Sequence, residues 1–455
     1  MIPGNKIHFT SLGCARNLVD TEVMLGILLR AGYEATDKLE EADYLVVNTC
    51  GFLEASRQES IDTIGLLLKE KKFDAKLVVA GCMVQKHGQE IKTKYPEVHY
   101  LLGSGDMEKI LEAVEAKTPG EAVTSARSYL EWGEVPRKVS TPKHYAYLKI
   151  AEGCAKRCSF CIIPTIKGPL RSKDESQVMK EFRTLLNQGV HEVILIAQDL
   201  GDYGKERKEK TGLEHLLKEM LKVEKKDFWL RLLYLYPDEI TDDLIDILAN
   251  DPRICRYLDM PLQHINDEML KAMKRKTSRS QILDVLTKLR ARLPDIVIRT
   301  SLMVGFPGET EEQFEELLDF VKKYPLDNIG IFKYSREEAS HSASLPNHIS
   351  EEVKEERYQK LCLAQLKTVR KWNKKYIGKK LQVMIEGYHP ETEHLMYGRF
   401  SGQCPEIDGQ VIINDCRNVE AFGMLHEVEI TDVADYDLIG TAIRPIKPQT
   451  KLTLI

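Results

Sequence analysis

No stretch of the sequence approaches the run of about 18 apolar residues that a bilayer span requires. The N-terminal MIPGNKIHF also lacks a basic segment followed by an apolar one. We therefore expect no membrane span, no secretory leader and a cytoplasmic location. Charge of one sign is lacking too, since 65 Lys and Arg against 70 Asp and Glu leave a net charge of -5, which removes any general bias toward nucleic acid. Paired C-x2-C motifs are absent, and the ten cysteines of so large a chain read as metal ligands and buried thiols, with no disulfide partner expected. What is present is an ordinary globular composition, 43% hydrophobic and 30% charged over 455 residues, enough for two to four domains with cores of their own.

Six of the cysteines fall into two groups of three. The first is EGCAKRCSFCIIP, residues 152–164, where Cys154, Cys158 and Cys161 form a C-x3-C-x2-C array after a strand-like segment, Tyr145 to Ala151. Structural zinc takes four ligands, whereas an iron-sulfur cluster on three cysteines keeps one iron open. A zinc knuckle with a distant fourth ligand is the competing reading. With Phe160 just before the last cysteine, the array resembles the signature of radical S-adenosylmethionine (SAM) enzymes. That resemblance implies a 4Fe-4S cluster whose open iron chelates SAM and whose reductive chemistry yields a 5'-deoxyadenosyl radical.

Upstream, over residues 1–141, short apolar runs alternate with helical periodicity, the pattern of a parallel α/β sheet. Strands are expected at Lys6 to Leu12, Asp43 to Asn48, Lys76 to Ala80 and His99 to Leu102, with helices near 19–30, 54–71, 85–94 and 107–117. Cys14, Cys50 and Cys82 then follow or end successive strands, so separations of 36 and 32 residues become neighbours along one carboxyl edge, where such sheets place ligands. Three chance buried cysteines are the alternative. The segments TSLGCARNLVDTE, VVNTCGF and VVAGCMVQ resemble the N-terminal domain of methylthiotransferases, which implies a second 4Fe-4S cluster on these three residues. A linker is expected at Trp132 to His144.

Over residues 142–375 six βα units, counting the one led by Tyr145, predict a partial barrel like that of radical SAM enzymes, with functional residues at the carboxyl strand ends. Phe160, Gln198, Asp199, Arg299 and Gly305 are the candidate SAM-binding residues, Gln198 and Asp199 for the SAM amino group by resemblance. Gln263 and His264 read equally as an active-site face or as a hydrogen-bonded rim. Lys274-Arg275-Lys276 and the run from Lys367 to Lys380 are basic patches that could meet RNA phosphates or form solvated faces.

From about 376 to 455 short alternating runs read as a small antiparallel barrel, resembling a TRAM domain. Such barrels often bind RNA, but from Leu381 onward 12 acidic residues face 5 basic ones, and a phosphate-binding surface should be basic. An acidic barrel attracts a basic protein instead.

Methylthiotransferases include a branch that modifies a tRNA adenosine and one that modifies an aspartate of a small-subunit ribosomal protein. SLGCARNLVDTE, CSFCIIPTIKGPLRS and YGRFSGQCPEIDG resemble the second, with Lys167 and Lys173 where arginines are more usual. The resemblance implies an enzyme with two 4Fe-4S clusters and SAM, an external electron donor and a ribosomal protein substrate; a monomer is expected. A non-catalytic iron-sulfur or RNA-binding protein would cleave no SAM, and a zinc protein would be colourless.

Overall fold

The structure, a computed structural model, describes residues 4–124, 128–131, 133–207, 211–225, 227–324 and 326–446. Trp132 of the expected linker and the chain beyond Ile446 lie outside the described residues.

The N-terminal domain is a six-stranded, all-parallel sheet in the order β2-β1-β3-β4-β5-β6. Its strands are β1 (Lys6–Ser11), β2 (Glu34–Ala35), β3 (Tyr44–Thr49), β4 (Lys76–Gly81), β5 (Tyr100–Gly103) and β6 (Gly120–Ala122). Helices α1 (Ala15–Arg30), α2 (Glu54–Glu70), α3 (Cys82–Lys94) and α4 (Ile110–Glu115) cover its two faces. The central strands are buried on both sides, which is why they are continuous apolar runs. Leu45, Val47, Leu77 and Val79 meet α2 and α3, while Val46, Val78 and Ala80 meet α1 and α4. The edge strands β2 and β6 escape sequence reading, because EA and GEA carry no apolar pattern.

The central domain has six parallel strands in the order β14-β13-β12-β11-β10-β7, the expected open barrel. They are β7 (Tyr145–Lys149), β10 (Glu192–Ile196), β11 (Trp229–Leu232), β12 (Ile254–Asp259), β13 (Val297–Val304) and β14 (Asn328–Lys333), with β8 (Ala151–Glu152) and β9 (Arg171–Ser172) as a small side pair. Helices α5 (Ile163–Lys167), α6 (Glu175–Asn187), α7 (Leu213–Leu221), α8 (Asp242–Asn250), α9 (Asp267–Ala272), α10 (Arg279–Arg292), α11 (Glu311–Lys323) and α12 (Glu351–Asn373) complete it. One face of the sheet packs on helices through Leu148, Val193, Leu195, Leu230 and Ile298. The other face carries Tyr147, Ile194, Trp229, Cys255 and Tyr257 and packs on Met384, Cys404 and Leu425 of the C-terminal domain.

That third domain is a closed barrel, β15-β16-β17-β19-β18, of β15 (Lys380–His389), β16 (Thr392–Phe400), β17 (Val411–Asp415), β18 (Met424–Ala434) and β19 (Asp437–Pro445). The sequence reading of an antiparallel barrel needs one amendment: β17 and β19 pair in parallel. Five strands cannot alternate in direction around a closed ring, so one parallel pair is unavoidable.

Two buried charge networks lock the domains together. Asp20 of α1 and Glu152 face Lys149 and Lys167: Asp20 meets Lys167 at 3.0 Å and also bonds Lys149, and Glu152 meets Lys167 at 2.8 Å and Lys149 at 3.3 Å. All four side chains are at most 5% exposed. On the barrel side Arg399 reaches Glu192 at 3.0 Å and Glu386 at 2.6 Å, and Arg231 holds the other Glu192 oxygen at 2.5 Å. Burial alone would raise the Glu192 carboxyl; Arg231 and Arg399 outweigh it and hold the group at about 2 against 4.5.

Removing one partner of a buried ion pair strands the other. Lys149→Met is therefore expected to destabilise the protein by about 3–5 kcal/mol, read from the urea midpoint, and an unchanged midpoint would show that the two domains do not depend on the network. Because the folded Glu192 pKa lies below the unfolded one, its contribution is complete above about pH 4.5 and is lost as pH falls toward 2. Fluorescence of Trp229, the strand neighbour of Glu192, should report that acid transition in the wild type and lose it in Glu192→Gln.

Candidate metal and cofactor site

The strand ends bring the first cysteine triad together. β1 aligns with β3 at Ser11 and Asn48, and β3 with β4 at Thr49 and Gly81, so Cys14, Cys50 and Cys82 leave the sheet along one edge. Two of them start helices: Cys14 is the N-cap of α1 and Cys82 the first residue of α3. Both helices begin earlier than their periodicity predicts, and at Cys14 the free backbone N–H groups of the helix start favour a thiolate. Asn17 fixes this edge by donating to Leu12 O and Thr49 O at 2.9 and 3.0 Å, while its Oδ1 accepts from the Cys82 thiol at 3.7 Å. A Cβ on Gly13 would stand 2.8 Å from Cys50 Cβ, and Gly13 has φ +91°, so glycine is needed there.

The second triad lies on the loop after β8. Backbone N–H groups donate to its sulfurs, Lys156 to Cys154 and Ile163 to Cys161, both at 3.4 Å. Cys158 Sγ lies 3.6 Å from Arg275 Nη1 and 3.7 Å from the Tyr236 hydroxyl, and the Arg275 guanidinium stacks 3.9 Å over the Tyr236 ring. Such hydrogen bonds to sulfur are how a protein tunes an iron-sulfur cluster. Ser159 ties the loop down through its N–H to Met273 O and its hydroxyl to Ala272 O.

The spacing of the sulfurs bears on the metal. Among the described residues one group brings three ligand atoms within 4.8 Å of one another, Asp199 with Asp202 and Glu239. Neither cysteine triad closes to that span, whereas a tetrahedral zinc with bonds of about 2.3 Å would hold its sulfurs well inside it. The donor set is all thiol, three per site, and fits a cluster larger than a single ion. Burial raises Cys82 and Cys161 to about 12 and Cys154 to about 11, so metal binding there displaces protons. Burial raises Cys14 too, but the charge of Arg16 and hydrogen bonds from Asn17 and Arg16 bring it below its usual value.

The five candidate SAM residues are spread more widely. Gln198 and Asp199 follow β10 beside the radical triad; Gln198 Oε1 is a buried acceptor with no hydrogen-bond partner among the described residues, and Asp199 Oδ2 is a buried acceptor faced by the Lys156 ammonium, a polar pair that fits an incoming amino group. Burial and the neighbouring Asp202 push Asp199 up to about 7, although Lys156 Nζ lies 3.3 Å away. A cavity of about 320 Å³ beside Cys158 is lined by Lys156, Tyr236, Lys274, Arg275 and Lys276. Phe160 packs among Met269, Met273, Phe306 and Tyr334 and anchors the cysteine loop. Arg299 lies elsewhere, bonded to Asp259 at 2.8 Å and facing Asp408 of the C-terminal barrel at 3.6 Å. Gly305, at φ +75°, faces Lys354, and its N–H donates to Glu309.

The structure brings Gln263 and His264 into a rim network. Gln263 bridges β13 through Ser301 and Met303, and His264 meets Glu309 at 3.2 Å, which Arg357 also holds. Of the basic patches, Arg275 is buried at Cys158, while Arg370 pairs with Asp435 and Lys375 with Asp327. Sequence reading missed Tyr236 and Lys156: neither sits in a motif of its own, and a Tyr four residues beyond the end of β11 is a weak signal.

Residues 6–103 match the family described as Uncharacterized protein family UPF0004, 148–321 the Radical SAM superfamily and 377–443 the TRAM domain. The chain is 65% identical over 442 residues to "Ribosomal protein uS12 methylthiotransferase RimO" of Protochlamydia amoebophila, covering 97% of this chain and 93% of that protein. This chain belongs to the RimO methylthiotransferase family. It is also 58% identical to the RimO of Chlamydia caviae, over 97% and 96% of the two chains, and 44% identical to that of Citrifermentans bemidjiense, over 96% and 98%. Among solved structures, the radical SAM methyltransferase TsrM from Kitasatospora setae matches at TM-score 0.54 and 16% identity, over 73% and 76% of the chains, a likeness of fold. The chain is thus a radical SAM enzyme of two 4Fe-4S clusters and SAM, and no helix among its described residues is long and apolar enough to cross a membrane.

Replacing Cys14, Cys50 and Cys82 together by Ala should halve the iron of the reconstituted RimO-family enzyme and leave SAM cleavage in place. Full iron with no SAM cleavage would overturn the assignment of the two triads.

Proposed function

We propose that this chain adds a methylthio group to the β-carbon of an aspartate in small-subunit ribosomal protein uS12. What supports the reading is a chain with two cysteine triads, one at the strand ends of the N-terminal sheet and one on the loop after β8, whose relatives bear that activity in their names. The β C–H of an aspartate is beyond any side-chain base at neutral pH, since general bases act on groups of matched pKa. Bound clusters and SAM supply the one-electron chemistry and the sulfur for such a substitution, and an external donor supplies the electrons.

The chain's own contribution is placement. Cys154, Cys158 and Cys161 hold one cluster, with Tyr236 and Arg275 steadying the Cys158 sulfur. Gln198 and Asp199 accept from the SAM amino group, and Cys14, Cys50 and Cys82 hold the second cluster on the facing sheet edge. Arg299 and Gly305, bonded elsewhere, support the barrel around SAM. The three units, residues 1–141, 142–375 and 376–455, divide these tasks, and the monomer contains the whole site. Docking falls to the C-terminal barrel, where Glu391, Glu393, Glu420, Glu429 and Asp432 are exposed; such a surface attracts a basic ribosomal protein and repels nucleic-acid phosphate. The reaction belongs in the cytoplasm, with the ribosome.

The deciding experiment offers the reconstituted enzyme, SAM and a reductant to uS12 and to tRNA in parallel. The expected product is uS12 heavier by one methylthio group on an aspartate. Modification of tRNA alone would overturn the substrate reading and leave the radical chemistry standing.

A further inference from the structure

Arg16, like Arg275 on Cys158 Sγ and Pro261 O, has no carboxylate partner among the described residues. Arg137, Arg231, Arg299, Arg357 and Arg399 each close on a carboxylate. Arg16 donates one N–H from Nη1 to Ala197 O at 2.9 Å and stacks 4.8 Å over the Tyr234 ring, and no Asp or Glu among the described residues lies within ion-pair distance of it. It is two residues past Cys14, its charge bears on Cys14 and Cys82 of one triad, and it bears on Cys161 of the other as well. A guanidinium has five N–H groups; Arg16 spends donors on Ala197 O and on the Cys14 thiol, and no carboxylate among the described residues takes the rest.

The residue beneath it is held at a cost. Tyr234 has φ +63°, a conformation that a bulky side chain rarely adopts and that accumulates at functional sites. Its N–H is held by Asp259 Oδ2 at 3.3 Å. β11 ends at Leu232, and the turn that follows sets the Tyr234 ring as a platform under Arg16. A cation held by a ring, a carbonyl and the Cys14 thiol, without a carboxylate of its own, has room to receive one brought by a ligand, and the planar fork suits a bidentate pair.

We propose that Arg16 binds the side-chain carboxylate of the substrate aspartate and so selects an acid over an amide or a neutral base between the two cysteine triads. This assignment rests on the ribosomal-protein reading above. The salt bridge would fix the carboxylate and leave the adjacent β-carbon as the atom presented to the site.

The test measures binding of uS12, with the modified aspartate present or replaced by Asn, to the cluster-loaded enzyme. The wild type should prefer the aspartate form by about ten- to a hundredfold, the scale of one hydrogen-bonded charge pair. Arg16→Met should bind both forms alike, and Arg16→Lys should keep part of the preference. Iron content is measured in every variant; if Arg16→Met loses iron, Arg16→Gln, which keeps a donor toward Ala197 O, takes its place. A neutral variant with full iron and the wild-type preference overturns the assignment, as does loss of iron in both neutral variants, which would make Arg16 a support of the cluster. A wild type that modifies the aspartate of uS12 yet binds both forms equally overturns the role of Arg16 alone. Modification of tRNA in place of uS12 overturns the underlying reading together with it.

Discussion

The arrangement depends on a buried quartet of charges. Asp20, Glu152, Lys149 and Lys167 come from two domains and sum to zero, so that each carboxylate finds two ammonium groups and each ammonium two carboxylates. Taking four charges out of water costs several kcal/mol apiece unless they pair well, and here the pairing exists only when α1 of the first domain lies against β7 and α5 of the second. A misdocked interface would leave uncompensated charge. The quartet acts as a register pin, and what it registers is the position of Cys14, six residues before Asp20, against Cys154, two residues after Glu152.

The C-terminal barrel is fixed by the same logic at the other end of the central domain. Arg399 enters the inner face of the open barrel and meets Glu192, while Met384, Cys404 and Leu425 cover the aromatic residues around it. An open barrel of six strands leaves that face uncovered, and a five-stranded closed one fills it. Arg299, bonded to Asp259 and facing Asp408, takes part in this seam. The acidic surface left outside is the part of the barrel that meets solvent, while Glu386 and Asp408, turned inward, face Arg399 and Arg299.

Much of this was legible in the residues. The C-x3-C-x2-C array, the three cysteines at strand ends, the parallel βα alternation and the alternating runs of the last domain are local patterns, and each maps to the element that the structure contains. The two-residue edge strands were not legible, because nothing apolar marks them, nor were the early starts of α1 and α3, because a cysteine at a helix start breaks no periodicity. Gln263 and His264 looked as functional as Gln198 and Asp199. Only their neighbours separate the pairs: the Gln263 backbone is taken up by Ser301 and Met303 and the His264 ring by Glu309, whereas Gln198 Oε1 is buried without a partner among the described residues and Asp199 Oδ2 faces Lys156 beside the radical triad.

The sequence by itself determined the chemistry, since ligand types, their spacing and the periodicity of the elements that carry them are properties of the chain over a few residues. Tertiary structure alone decided which charges are spent and which are free. Lys167 and Arg16 are both basic residues near cysteines in the sequence, yet one is neutralised by Asp20 and Glu152 and the other faces no carboxylate. Electrostatic pairing acts through space over a few ångströms between residues more than a hundred positions apart, and no local pattern encodes that distance.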